Sequence, residues 1–209
     1  FVGILHDFGL NNPDIDRNAT PVLSLGPCEV SVGEMVSAYT AFANGGVRCA
    51  PLFVTKIEDS HGNVIAKFQP LMTEVISEDN SYRMIDMMRA VIDGGTGSRL
   101  KGAYGMKGDI CGKTGTTNSN SDGWFIAFTP ELVSGAWVGG EDRDIHFDST
   151  SLGQGAAAAL PIWAYFMKKV YADHQLGYSD KPQFAIPKDF DFCSTTEDTD
   201  VNDIQEVYF

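Results

Sequence analysis

Positive charge is scarce in this chain: 15 Lys and Arg stand against 28 Asp and Glu, a formal net charge of −13. A phosphate backbone is held by clustered cations, so nucleic acid is excluded as a partner. An anionic membrane surface is disfavoured on the same ground. Long apolar runs are missing as well, none approaching the ~18–20 residues that cross a bilayer. The segment Phe1–Phe8 lacks both a starting Met and the layout of a signal peptide. Phe1 therefore reads as a cut inside a longer chain, with any compartment signal upstream of it. Cysteine is sparse: four, at positions 28, 49, 111 and 193, with no C-x-x-C pair, which argues against a zinc ribbon or a redox motif. Cys28 and Cys49 flank a predicted helix whose ends lie ~20 Å apart, so no disulfide is expected between them.

Metal-ligating patterns are equally thin. Asp14, Asp16 and Asn18 imitate the start of an EF-hand loop, but its sixth position is Ala19 and its twelfth Leu25, where calcium loops need Gly and Glu. His6, His61, His146 and His174 show no ligand spacing. Glu141, Asp142, Asp144 and Asp148 follow a strand end and read as a solvated loop instead of an acid/base pair. No metal and no cofactor is expected.

What is present is an ordinary globular pattern, with 43% hydrophobic and 21% charged residues. Residues 1–30 read as irregular, broken by Asn11-Asn12-Pro13 and Gly26-Pro27. Ser31 and Glu34 form a capping box before a helix running to Asn44-Gly45-Gly46. A strand pair, 52–58 and 64–68, follows. A second helix starts near Ser77, with Met84, Ile85, Met88, Val91 and Ile92 on one face, and stops at Gly94-Gly95. A strand is predicted over 109–117, then a hairpin of 123–128 and 132–139 turning at Thr129-Pro130-Glu131. Leu160, Trp163, Met167 and Val170 mark a third helix, with Pro161 in its first turn. Met35, Met84 and Met88 read as core, and Trp124 and Trp137 as packing residues of the hairpin, Trp124 close enough to the following site to touch a ligand. From Asp189 onward there are seven acids and no Lys or Arg, a solvated tail. The order of elements predicts an α+β fold in which helices pack on an antiparallel sheet. The expected division is a domain portion over 1–188 and an acidic tail over 189–209.

The informative stretch is Gly112-Lys113-Thr114-Gly115-Thr116-Thr117, followed by Asp122-Gly123-Trp124-Phe125. K-T-G is one of three motifs shared by β-lactamases and penicillin-binding proteins. Three residues alone say little, and a solvated strand lysine beside a glycine turn is the plain alternative. The context is broader. Pro27–Gly46 with its ending Ala41-Phe42-Ala43-Asn44-Gly45-Gly46, the run Gly95-Thr96-Gly97, the hairpin ending Ala136-Trp137-Val138-Gly139, and the helix around Ala159-Leu160-Pro161-Ile162-Trp163 all resemble class A penicillin-binding proteins over residues 22–172. The resemblance implies the C-terminal portion of a serine D,D-transpeptidase domain, part of a β-lactamase/transpeptidase-like fold. It implies that Lys113 supplies positive field and that Thr114 and Thr116 bind the carboxylate of a D-alanyl-D-alanine stem peptide or a β-lactam. Gly115 would let the substrate lie along the strand. The Thr116 N–H would be half of the oxyanion hole, and Thr117 closes the binding set. Lys113 and Thr116 are thus the catalytic candidates; Thr114, Gly115, Thr116 and Thr117 are the substrate-binding ones.

Of the family's other two motifs one is absent and the other occurs only out of place. No Asn has Ser two places before it, so S-x-N is absent. The single S-x-x-K string, Ser98-Arg99-Leu100-Lys101, lies fifteen residues before Lys113 in a glycine-rich stretch. The family's nucleophile lies far upstream of K-T-G at the head of a buried helix, so Ser98 is not expected to be one. Cys111 shares a strand face with Lys113 and reads as a small buried residue more than a reactive thiol. The chain alone is expected to be inactive. The resemblance places the parent in the periplasm, held to the inner membrane only through the missing upstream segment. It leaves open a carboxypeptidase, a β-lactamase, or a recognition or sensor module for peptidoglycan or β-lactams that does not turn over. Because the family's sheet uses strands from before the nucleophile, exposed apolar surface and self-association of the fragment are expected.

Overall fold

The computed structural model describes residues 1–17, 19–188 and 190–191. Asn18, Cys193 and the acidic tail apart from Phe190 and Asp191 lie outside the described residues. The first thirty residues correct the sequence reading. They hold two short helices, α1 (Val2–Asp7) and α2 (Pro13–Arg17), and a 3-10 turn at Pro21–Leu25. Asn12-Pro13 starts a helix here. The Asn12 side-chain oxygen accepts the Asp14 N–H at 2.9 Å, and a proline in the first turn forfeits no helical hydrogen bond. Helices of five or six residues are too short to show a period. Burial of Leu10, Ile15 and Leu23 with Ala38 anchors this segment.

Helix α3 (Val32–Ala43) opens with the expected capping box: Ser31 Oγ accepts the Glu34 N–H at 3.2 Å and Glu34 accepts the Ser31 N–H at 2.7 Å. It stops at Asn44, and Gly46 then takes a φ of +95° with its Cα facing the Ile76 carbonyl, a place that admits no side chain. Strand β1 (Val47–Cys49) leads to β2 (Lys56–Glu58), β3 (Val64–Lys67) and β4 (Met72–Glu74). β1 pairs with β4 and β2 with β3, both antiparallel. Three-residue strands carry no readable alternation, which is why β1 and β4 escaped the sequence. Helix α4 (Glu78–Asp93) is capped by Ser77, whose hydroxyl accepts the Asn80 N–H at 3.3 Å. A single turn, α5 (Arg99–Gly102), follows. Then come β5 (Cys111–Thr116), β6 (Asp122–Phe128) and β7 (Val133–Gly139), in spatial order β5-β6-β7 and antiparallel throughout. Two further turns, α6 (Thr150–Gly153) and α7 (Gly155–Ala158), precede α8 (Leu160–Ala172), with Pro161 in its first turn.

The α+β class stands. The register pairs Cys111 with Phe128 and Phe128 with Val133, so these share one face; Gly112, Ala127 and Ser134 share the other. On the first face Tyr82, Ile85 and Met88 of α4 and Tyr39 and Phe42 of α3 bury Cys111 and Phe128. On the second, Leu160, Trp163, Ala164 and Met167 of α8 bury Phe125 and Ala127. Helices on both faces explain why Phe125–Phe128 is continuously apolar instead of alternating. Each fully buried large side chain contributes about 1.5–3 kcal/mol. The Trp163 indole N–H donates to the Ala127 carbonyl at 3.3 Å, so burying this ring leaves its one polar group paired.

One ion pair ties the sheet to its helix. Arg89 of α4 makes a two-pronged contact with Asp109 at 2.8 and 3.0 Å, and the Phe184 N–H donates to the same carboxylate at 3.1 Å. Phe184 then stacks edge-on to Phe128, and Phe190 to Tyr82, so the chain after α8 returns to α4. No helix among the described residues is long and apolar enough to cross a membrane.

Candidate functional site

Strand β5 pairs with β6 only, so among the described residues its outer edge is open. The Thr117 N–H donates to the Asp122 carbonyl at 3.1 Å. In an antiparallel ladder successive residues turn their N–H and C=O groups to opposite sides. The peptide groups of Thr116 and Thr114 therefore face the open edge. Lys113 is exposed, and its ammonium folds onto the Thr114 carbonyl at 2.7 Å. One cation, two outward N–H groups and two threonine hydroxyls thus meet along the rim of one strand.

The hydroxyls differ in their commitments. Thr114 and Thr116 stand two apart and share a face. Thr116 Oγ1 accepts the Gly155 N–H at 3.0 Å, which leaves its own hydrogen available to donate. Thr114 Oγ1 lies 2.7 Å from Thr96 Oγ1. Thr117 belongs to a closed knot instead: it donates to an Asp122 carboxylate oxygen at 2.9 Å and accepts the Asp122 N–H at 2.9 Å. The other Asp122 oxygen accepts the Trp137 indole N–H at 2.9 Å. The knot fixes the turn from β5 to β6, where Ser119 and Asn120 take positive φ. Trp124 and Trp137 form a cross-strand pair with ring centroids 6.4 Å apart, a packing pair as the sequence suggested.

Glycine sets how closely the elements approach. A Cβ at Gly155 would stand 2.2 Å from the Trp124 carbonyl and 2.5 Å from that of Gly115, so α7 can sit over the β5–β6 seam only with glycine there. At Gly115 a Cβ would come within 3.1 Å of Trp124 Cβ. Neither Gly155 nor Thr96 figured in the sequence reading as a site residue. Gly95-Thr96-Gly97 was visible as part of the resemblance, but its contact with Thr114 joins residues eighteen apart.

The remaining candidates are placed away from the rim. Cys111 shares the Lys113 face but lies under α4, and burial, with the Asp109 charge behind it, pushes its thiol up to about 12. It stays protonated at neutral pH. Ser98 precedes the one-turn α5 and makes no side-chain cap, while Lys101 is held by Asp93. The acidic loop caps itself, the Asp144 N–H donating to Asp142 at 3.0 Å. Asp14 pairs with Arg17, and Asp16 with His6. Among the described residues no group of His, Cys, Asp and Glu could hold a metal ion.

The chain is similar to known proteins over most of its length. The family described as "Penicillin binding protein transpeptidase domain" matches residues 6–138. Penicillin-binding protein 1A of Aquifex aeolicus is 39% identical over 151 residues, covering 71% of this chain and 20% of that protein. The chain spans about a fifth of the length of the curated relatives it matches. The crystal structure of penicillin-binding protein 1A from Haemophilus influenzae superposes with a TM-score of 0.74 at 25% identity, covering 90% of this chain and 32% of that one. PonA1 from Mycobacterium tuberculosis, in complex with penicillin V, superposes with a TM-score of 0.68 at 24% identity, over 88% of this chain and 50% of that one. With a matched segment that runs through β5 and β6 into β7, the chain belongs to the penicillin-binding protein transpeptidase domain family.

Proposed function

We propose that the open rim of β5 is the substrate-binding edge of a peptidoglycan D,D-transpeptidase whose nucleophilic serine comes from outside these residues. The observation that supports this most is the convergence on one unpaired edge of the Lys113 ammonium, the outward Thr116 and Thr114 peptide groups, and the Thr116 hydroxyl with its hydrogen free. A stem peptide ending in D-alanyl-D-alanine, or a β-lactam, lies along that edge as an added strand. Its carboxylate takes hydrogen bonds from Thr114 and Thr116 in the field of Lys113. The scissile carbonyl points at the Thr116 N–H, one donor of the oxyanion hole. As charge grows on that oxygen the donor strengthens, which lowers the acylation barrier. Thr117 takes no part in binding on this reading; through Asp122 it holds the end of the strand still. The penicillin V complex of the related mycobacterial protein is in keeping with a β-lactam as ligand. The parent is a periplasmic protein anchored in the inner membrane through a segment before Phe1.

The test uses the full-length protein read from the complete coding sequence. Lys113→Ala is expected to slow acylation by a fluorescent penicillin about a hundredfold or more while the protein remains folded by circular dichroism. Acylation at the unmodified rate would overturn the proposal, and so would a coding sequence with no S-x-x-K before Phe1.

A further inference from the structure

The Thr96–Thr114 contact is the feature of the rim that the functional reading does not use. Thr96 lies just beyond α4, between two glycines packed with no room to spare. A Cβ at Gly95 would stand 2.9 Å from Val91 Cα, and one at Gly97 would stand 2.6 Å from Ile92 Cδ1. This close packing against the last turn of α4 brings the exposed Thr96 hydroxyl to 2.7 Å from that of Thr114. The contact is thus held by backbone geometry.

We infer that Thr96 is a positioning residue for the substrate carboxylate, acting through Thr114; this rests on the reading of β5 as the carboxylate-binding edge. A hydroxyl has one hydrogen to give and two lone pairs to receive. Without substrate either threonine can be the donor. When a carboxylate arrives it claims the Thr114 hydrogen, because a charged acceptor outbids a neutral one. The pair then has one arrangement left: Thr96 donates to Thr114, and Thr114 donates to the carboxylate. Such a chain polarises each member, strengthening the outer bond. It also fixes the Thr114 rotamer, so that less freedom is lost on binding. Thr96 therefore favours ligands that carry an anion at this point and is indifferent to those that do not. The inference extends the carboxylate site from two threonines on β5 to a third on a separate element.

The test compares two substrates on the full-length protein: a D-alanyl-type thioester ending in a free carboxylate, and its methyl ester. Thr96→Val is expected to lower kcat/KM for the acid about tenfold and to leave the ester within about twofold. Thr96→Ser should restore the acid substrate. Equal losses on both substrates would mean a merely structural role, and no loss on either would mean that the hydroxyl is idle; both results overturn the inference. Thr114→Val separates it from the reading on which it rests. If Thr114→Val discriminates acid from ester and Thr96→Val does not, only the role of Thr96 falls. If neither variant discriminates, the carboxylate site itself is misplaced.

Discussion

Two antiparallel hairpins stand out in the sequence, β2–β3 and β6–β7, and the fold treats them in opposite ways. In β6, Phe125 and Phe128 are fully buried between α3 and α4 on one face and α8 on the other. In β2–β3, Ile57 is 45% exposed and Ile65 67% exposed, and Phe53 in the lead-in is 93% exposed. Alternation and a turn signal predict both hairpins equally well, since pairing is a local property. Burial depends on which helices from elsewhere in the chain fold onto the strands, and α3, α4 and α8 all fold onto the second hairpin. The difference also bears on the proposed site: the strand that carries Lys113 is hydrogen-bonded along its length to the buried strand β6.

Variants can break or sharpen this contrast. The largest effect is expected in the packed half. Trp163→Ala removes a fully buried indole from between α8 and the sheet, and should cost about 4 kcal/mol in urea unfolding of the 209-residue chain. A smaller effect follows at the pair joining α4 to the base of β5. Arg89→Leu removes both side-chain hydrogen bonds to the Asp109 carboxylate, which is 8% exposed, keeps that from the Phe184 N–H, and should cost about 2 kcal/mol at neutral pH.

The same pair carries a pH signature. Burial raises the Asp109 carboxyl, but the hydrogen bonds from Arg89 and Phe184 and the Arg89 charge outweigh it, so the group is held below the usual carboxylate range. A lowered folded-state value means that its contribution is fully present above the unfolded-state value of about 3.9. It is lost as pH falls through the folded-state value. Acid titration of stability should therefore show a limb below about pH 4 that Arg89→Leu flattens. The smallest effect belongs to the exposed hairpin: Ile65→Ala should stay within about 0.5 kcal/mol of the parent chain. A loss there as large as that of Trp163→Ala would show that the hairpin is packed in solution after all.

Legibility in the sequence follows the same divide between local and distant causes. The capping box at Ser31, the stop at Gly45-Gly46 and the apolar stripe through Trp163 and Met167 are local, and α3 and α8 appear where they are expected. α1 and α2 were hidden because five or six residues give no period and Asn12-Pro13 serves a cap as readily as a break. β1 and β4 were hidden because their partners are some twenty-five residues apart and each strand is three long. At the site, Lys113-Thr114-Gly115 was plain as a string, and its place on an open sheet edge is new. The commitment of Thr117 to Asp122, the seat of Thr116 on Gly155 and the approach of Thr96 to Thr114 are tertiary contacts. No spacing rule reaches across the eighteen residues of the last or the 39 of the Thr116–Gly155 bond.

The most direct test of the central claim is to map a penicillin adduct on the full-length protein by peptide mass spectrometry. On the proposed reading, the rim of β5 binds substrate and the attacking serine is supplied from elsewhere. The adduct is therefore expected on a serine of an S-x-x-K sequence before Phe1, with residues 1–209 unmodified. An adduct on Ser98, or none anywhere in a folded protein, would contradict it.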